Sequence, residues 1–259
     1  MNKLIIALVL IFTNQVLQAQ LQGLSASKLS TLNVTCVAKH QAEFEPTFSS
    51  SYTKQNVAGL GETLTVSSSL NWRITLGLLD KLELGLNFPS DVSTGSLSLK
   101  AEVYNKGALQ LGVMGGITSP LDNRTYLPSR RTINDVTTYG LGIIGSIAID
   151  SVTSIDLNVQ LADYFREVPF NPITGDNATS QSFYFNANVG TYVTDKILLL
   201  AGGGYQTFQD YWNANLFVEY GFALEWNPRY IFVVSGFNSV WTNNTLKSSG
   251  FNLSFTSLW

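Results

Sequence analysis

From Ser154 to Phe165 the chain reads SIDLNVQLADYF, with Ile155, Leu157, Val159 and Leu161 alternating with Asp156, Asn158, Gln160 and Ala162. A period of two is that of a β-strand with one apolar and one polar face. In a soluble sandwich the apolar face points to the core, whereas in an outer-membrane barrel it points to lipid and the polar face lines the lumen. The same alternation recurs along the chain beyond Gln41, and every interruption carries Gly, Asn, Asp or Pro. The pattern predicts about twelve strands, over 41–53, 62–77, 80–88, 95–105, 108–119, 137–149, 153–165, 179–193, 196–209, 212–226, 229–242 and 248–259.

The connections decide between the two architectures. Those after the second, fourth, sixth, eighth and tenth strands are tight: LLDK, NKG, DSVTS, TDK and NPR. Most of the others are longer, the longest being PLDNRTYLPSRRTINDV and REVPFNPITGDNA, while the ninth, at 209–212, is short. Alternation of short and long connections marks an up-and-down antiparallel barrel with short periplasmic turns and long external loops. The expected fold is therefore all-β, a transmembrane up-and-down antiparallel β-barrel of about twelve strands, and Asp156, Asn158 and Gln160 are expected to face its lumen.

The N-terminus adds a targeting signal. MNKLIIALVLIFTNQVLQAQ places Lys3 before an apolar stretch and ends near Ala19, the form of a secretory signal cleaved after Ala19 or Gln20. This divides the chain into a signal peptide at 1–20, an N-terminal periplasmic extension or plug at 21–40 and a barrel at 41–259. The last strand, GFNLSFTSLW, puts Phe251, Leu253, Phe255 and Trp259 on one face and ends on an aromatic residue. It resembles the terminal signal by which such barrels are recognised, so the barrel-assembly machinery is an expected partner through Phe255 and Trp259, with outer-membrane lipid around the strands.

Composition narrows the function. Apolar residues make up 45% of the chain and charged ones 13%, about half the usual globular fraction, yet no apolar run approaches the roughly 20 residues of a spanning helix. The formal net charge is −3 and the only adjacent basic pair is Arg130–Arg131, which leaves nucleic acid without an electrostatic footprint. With one cysteine, Cys36, there is no intrachain disulfide, and the one histidine, His40, precedes the barrel. No nucleophile–histidine arrangement or metal-ligand cluster is visible, so neither an enzyme nor a cofactor is expected. The run Gly202–Gly203–Gly204 lacks a following phosphate-loop Lys and reads as a strand kept slim for close packing.

Reading the inward positions places Glu43, Glu45, Arg73, Glu83, Lys100 and Glu102 in the periplasmic half of the lumen, where charges of both signs are expected to pair as a layer. That layer serves as a gate or simply fills a narrow barrel. Further on, Leu198, Leu200, Phe217, Phe232 and Val234 are assigned inward, with Glu219 as the main charge. This apolar wall either guides a hydrophobic solute or receives the segment 21–37.

The segments AEFEPTFSSSY, LNWRITLGLLDKLELGLNFP, GSLSLKAEVYNKGALQLGVMGGITSP and TTYGLGIIGSIAID together resemble the outer-membrane family named for the meta-pathway of phenol degradation. The family's Gly-rich approach to the fourth strand is reduced here to the single Gly95 of DVSTGSLSLK. The resemblance implies an outer-membrane barrel that passes hydrophobic compounds, aromatic ones among them. The leading expectation is thus a passive outer-membrane channel for small, hydrophobic or aromatic, molecules. The alternative is a non-transporting barrel whose external loops, at 124–135 and 166–176, bind a partner or a surface glycan.

Overall fold

The computed structural model describes residues 24–25, 27–57, 61–121, 137–164, 182–208, 213–242 and 246–259. The expected signal at 1–20 and the two external loops at 124–135 and 166–176 lie outside the described residues. Two short strands come first, β1 (Ser27–Lys28) and β2 (Thr31–Leu32). Then follow β3 (Ala42–Val57), β4 (Gly61–Leu79), β5 (Leu82–Pro89), β6 (Thr94–Lys106), β7 (Leu109–Pro120) and β8 (Thr138–Ala148). The remaining strands are β9 (Thr153–Tyr164), β10 (Ser182–Thr194), β11 (Ile197–Phe208), β12 (Asn213–Asn227), β13 (Tyr230–Thr242) and β14 (Leu246–Leu258).

Strands β3 to β14 form one closed antiparallel barrel of twelve strands, each paired with its neighbours in sequence and β14 paired with β3. Closure leaves no sheet edge, so every strand finds its backbone partners within the barrel, as a bilayer requires. The two ends meet directly: the Ala42 amide donates to the Trp259 carbonyl at 3.0 Å and the Trp259 amide to the Ala42 carbonyl at 2.8 Å. Four of the five connections at this end take two residues, 80–81, 107–108, 195–196 and 228–229, and the fifth takes four, 149–152. In the fifth, the Asp150 carboxylate accepts from the amides of Val152 at 2.8 Å and Thr153 at 2.7 Å, an Asx turn that reverses the chain.

The barrel is oily outside and polar inside. On β9, Val159 and Leu161 are 39% and 56% exposed, while Asp156, Asn158 and Gln160 have no accessible surface. The exterior carries Leu99, Val113, Leu141, Ile143 and Val189 on the β6 to β10 side. On the other side it is aromatic, with Phe44 stacked on Trp72 at 5.7 Å and Phe255 packed against Phe232 at 4.7 Å. Aromatic rings near a barrel rim suit the boundary between lipid and water. The terminal Trp259 donates from its indole to the Ser257 hydroxyl at 3.0 Å, which explains a polar residue at that point of the last strand.

The strand boundaries differ from the sequence pattern mainly at the first hairpin. Pairing of β3 with β4 continues to Val57 and Gly61, beyond the expected end at 53. Polar residues on both faces, Ser49 to Ser51 and Ser67 to Ser69, hide the alternation there, and hydroxyls pair across the strands instead, as between Ser51 and Ser67 at 3.1 Å.

Candidate functional site: the lumen and the segment that crosses it

Residues 24–25 and 27–37 run through the lumen. Their backbone groups, enclosed by the barrel, need partners. Side chains of the wall supply them. Asn158 accepts from the Leu32 amide at 3.3 Å and donates back to the Leu32 carbonyl at 3.1 Å, as a neighbouring strand would. The Val34 amide donates to the Ser146 hydroxyl at 3.2 Å, and the Asn33 side chain donates to Asp156 at 3.1 Å. The Thr31 hydroxyl donates to Asn186 at 2.6 Å, while the Ser30 amide donates to Glu219 at 3.0 Å. Leu24, Leu32 and Val34 bury their side chains against Met114 and Ile144.

One end of this path is gripped by charge. Lys100 and Glu83, both fully buried, form an ion pair at 3.2 Å. The Lys100 ammonium also donates to the carbonyls of Ser25 at 3.0 Å, Asn33 at 3.1 Å and Thr35 at 2.8 Å, and lies 3.2 Å from the Ser25 hydroxyl. The Glu83 carboxylate accepts from the Ser25 amide at 2.8 Å, the Ser25 hydroxyl at 2.5 Å and the Val37 amide at 2.8 Å. A buried ion pair is tolerable only when its remaining protons and lone pairs are bonded. Here the crossing segment supplies most of those bonds.

Arg73 forms the second charged group. It pairs with Glu43 at 2.5 Å and Glu45 at 2.7 Å and also donates to the Leu24 carbonyl, while the Thr256 hydroxyl donates to Glu45 at 2.6 Å. The structure thus brings Glu43, Glu45 and Arg73 together in one group and Glu83 and Lys100 in another. Glu102 stands apart, paired at 3.0 Å with Lys81, whose side chain is 64% exposed. The segment then leaves the lumen past Gly77, where the Ala38 carbonyl oxygen lies 2.0 Å from where a Cβ would stand, so only glycine allows the chain through.

The other end of the path is apolar. β1 and β2 pair with Ser27 opposite Leu32 and Lys28 opposite Thr31, leaving Leu29 and Ser30 as a two-residue turn. Leu29 has a φ of 58°, at the position where such a turn normally carries glycine. A leucine there costs of order 1–3 kcal/mol of backbone strain. Its side chain packs against Leu198, Leu200 and Ala223 of β11 and β12, with Tyr192, Ile231 and Val233 alongside.

This corrects the inward assignment on β13. Phe232 and Val234 are 44% and 36% exposed on the exterior, and Ile231 and Val233 take the inward places. The sequence YIFVVSGFNSVW is apolar at both parities, so its alternation does not set the register. Leu198, Leu200 and Phe217 do face inward, but Phe217 lies farther along β12, its ring 6.1 Å from Tyr184. Gly204 of the slim glycine run lies beneath that ring, 2.8 Å from it at the place of a Cβ.

No family model matches the chain, and no curated protein matches it. Solved structures do. An outer-membrane channel from Pseudomonas putida F1 superposes with a TM-score of 0.66 at 13% identity, over 88% of this chain and 98% of that one. The NanC porin gives 0.56 at 6% identity and the KdgM porin 0.51 at 8%, each over 82% of this chain and 98% of its own. The chain therefore shares the fold of outer-membrane channels and porins.

The sequence offered an apolar wall that receives the segment as one of two alternatives, and Leu29 does pack against Leu198 and Leu200, but the polar bonds that dock the segment were not legible. Ser25, Ser30, Thr31 and Asn33 are ordinary polar residues in a short polar stretch. Their partners on the wall lie between 58 and 189 positions away, as for Ser25 with Glu83 and Ser30 with Glu219.

Proposed function

We propose that the chain is a passive channel for small molecules in a bacterial outer membrane, with its own N-terminal segment as an internal plug. The carrying observation is a closed barrel, apolar outside and polar inside, whose lumen is crossed by residues 24–25 and 27–37 bonded to both walls. A wall rich in Asn, Ser and paired charge gives water and polar solutes somewhere to bind. The apolar stretch at Leu198, Leu200 and Ala223 gives hydrophobic solutes a place as well. The shared fold with outer-membrane channels supports this reading, as does the resemblance to the meta-pathway family, which extends it to hydrophobic and aromatic compounds.

Opening then requires the plug to rearrange, and the ion pair of Lys100 with Glu83 is its principal hold. The test is reconstitution of the full chain, signal removed, in a planar bilayer. Infrequent open steps are expected from the native chain and frequent ones from Lys100→Ala. A folded Lys100→Ala barrel that stays as silent as the native one would overturn the reading of the segment as a plug. Failure of both to conduct under any voltage would overturn the channel itself.

A further inference from the structure

Beyond the Arg73 group, away from the tight turns, the inward face of β13, β14, β3 and β4 changes character. Cross-strand pairing fixes which of its residues share a level. Ser235, Asn252, Ser49 and Ser69 form one row, Phe237, Gly250, Ser51 and Ser67 the next, and Ser248, Thr53 and Thr65 a third. Phe237 is paired with the inward Glu219, and the β4 residues keep the parity of Arg73, so all three rows face the lumen. Apart from one ring and one glycine, every position carries a hydroxyl or an amide, and none is charged. Ser67 and Ser69 are exposed although they point inward, so the lumen is open in front of them.

These hydroxyls are only partly used. Ser51 pairs with Ser67 at 3.1 Å, Thr53 with Ser248 at 2.9 Å, and the Asn252 amide donates to Ser235 at 3.4 Å. A hydroxyl has one proton and two lone pairs, so each hydroxyl pair keeps a donor and several acceptor positions for a solute. In the middle row the half-buried Phe237 ring lies over Gly250, two of its carbons 2.8 and 2.9 Å from where a Cβ would stand. The glycine thus lets an aromatic surface lie along the wall, among the hydroxyls.

We infer that this wall binds neutral saccharides. The inference rests on the reading of the chain as a channel and names a solute class for its polar side. A pyranose needs donors and acceptors around its rim and an apolar surface for the C–H groups of its face. Hydroxyls on strands about 4.8 Å apart, beside an aromatic ring, supply both. An apolar solute would strip the hydroxyls of water and offer no bond in return. The rows hold neither a cation for an acidic sugar nor a carboxylate for a basic one, and Glu219, next to Phe237, is engaged with the Ser30 amide at 3.0 Å.

The test uses maltotriose as probe and a glucuronic acid trimer as its acidic counterpart, on the full chain with its signal removed, folded in a detergent without a sugar headgroup. Binding is followed by saturation-transfer NMR. Maltotriose is expected to bind saturably in the millimolar range, and the acidic trimer not to bind. Phe237→Ala should weaken maltotriose about tenfold, while Phe237→Tyr, which keeps the ring, should bind as the native chain does. Ser67→Ala, at an exposed position that the fold tolerates, should weaken it about fivefold, the size of one net hydrogen bond.

Failure of maltotriose to bind the folded native barrel, or equal affinity in the native chain, Phe237→Ala and Ser67→Ala, would overturn the site. Equal binding of the acidic trimer would overturn its neutrality. A loss in Phe237→Tyr as large as in Phe237→Ala would overturn the stacking. These readouts need no ion flow, so a barrel that conducts but ignores maltotriose refutes only the inference. One that binds maltotriose and never conducts refutes only the channel.

Discussion

The two walls that hold the N-terminal segment lie on opposite sides of the barrel, β5 and β11 being six strands apart in either direction. They hold it by different physics. At β4 to β6 the grip is Arg73, Glu83 and Lys100, desolvated charges bonded to particular carbonyls and amides of the segment. At β11 to β13 it is mainly Leu198, Leu200, Ala223 and Val233 around one leucine, beside a single charged bond from the Ser30 amide to Glu219. Directional bonds to buried charge fail when one partner is lost, because the other is left uncompensated. Apolar contact fails gradually and accepts substitutes of similar size. The charged wall therefore holds the segment by the larger share of directional bonds, and the opposite wall by apolar packing of Leu29 together with the bonds of Ser30.

The sharpest way to break this contrast is Lys100→Ala. It leaves Glu83 buried without its cation and should destabilise the folded barrel by about 3–5 kcal/mol, read from urea unfolding in micelles. Lys100→Met combined with Glu83→Gln removes both charges and should recover most of that loss. If the single variant unfolds like the native chain, water rather than the segment is satisfying Glu83.

Next in size is Val234→Arg, which examines the corrected register. Val234 faces outward beside Leu253 and Phe222, several residues in from the turn at 228–229. A cation at mid-depth on the lipid face costs about 2–4 kcal/mol. Were Val234 inward, the same arginine would lie in a lumen containing Glu219 and be tolerated.

A smaller effect is expected of Leu200→Ala, about 2 kcal/mol, at the low end for a buried leucine because Leu29 can settle into the space. Its signature is faster maleimide labelling of Cys36. Loss of stability with unchanged labelling would mean that Leu200 supports the wall and not the segment.

What was legible in the sequence follows the same division. Alternation exposed the barrel because lipid and lumen demand opposite polarity at successive residues, so Val159 and Asn158 are told apart by position alone. The same rule set Arg73, Glu83 and Lys100 inward. It failed where its premise fails. On β13 the lumen face is itself apolar, so Ile231 and Phe232 look alike. On β3 and β4 beyond Ser49 both faces carry hydroxyls and the strands run on unmarked. The polar bonds that hold the segment could not be read, since what distinguishes Glu83 from any inward carboxylate is a backbone amide 46 residues away.

The weakest prediction concerns the third charged pair and fixes the limit of the charged wall. Lys81 bonds Glu102 at 3.0 Å, yet its ammonium stands in water beside the tight turn that follows β4. An ion pair so placed gains little in high dielectric and is screened further by salt, so Lys81→Ala should cost roughly 0.2–1 kcal/mol and less at raised ionic strength. The Glu102 backbone bonds the Cys36 thiol, but Lys81 itself makes no bond with the segment among the described contacts, so its loss should leave Cys36 labelling unchanged. Labelling that rises with Lys81→Ala as it does with Lys100→Ala would mean that the whole ring of charge holds the plug. Its absence would confine the hold to the residues that touch the segment, and would separate a grip made by desolvated bonds from one made by electrostatic field.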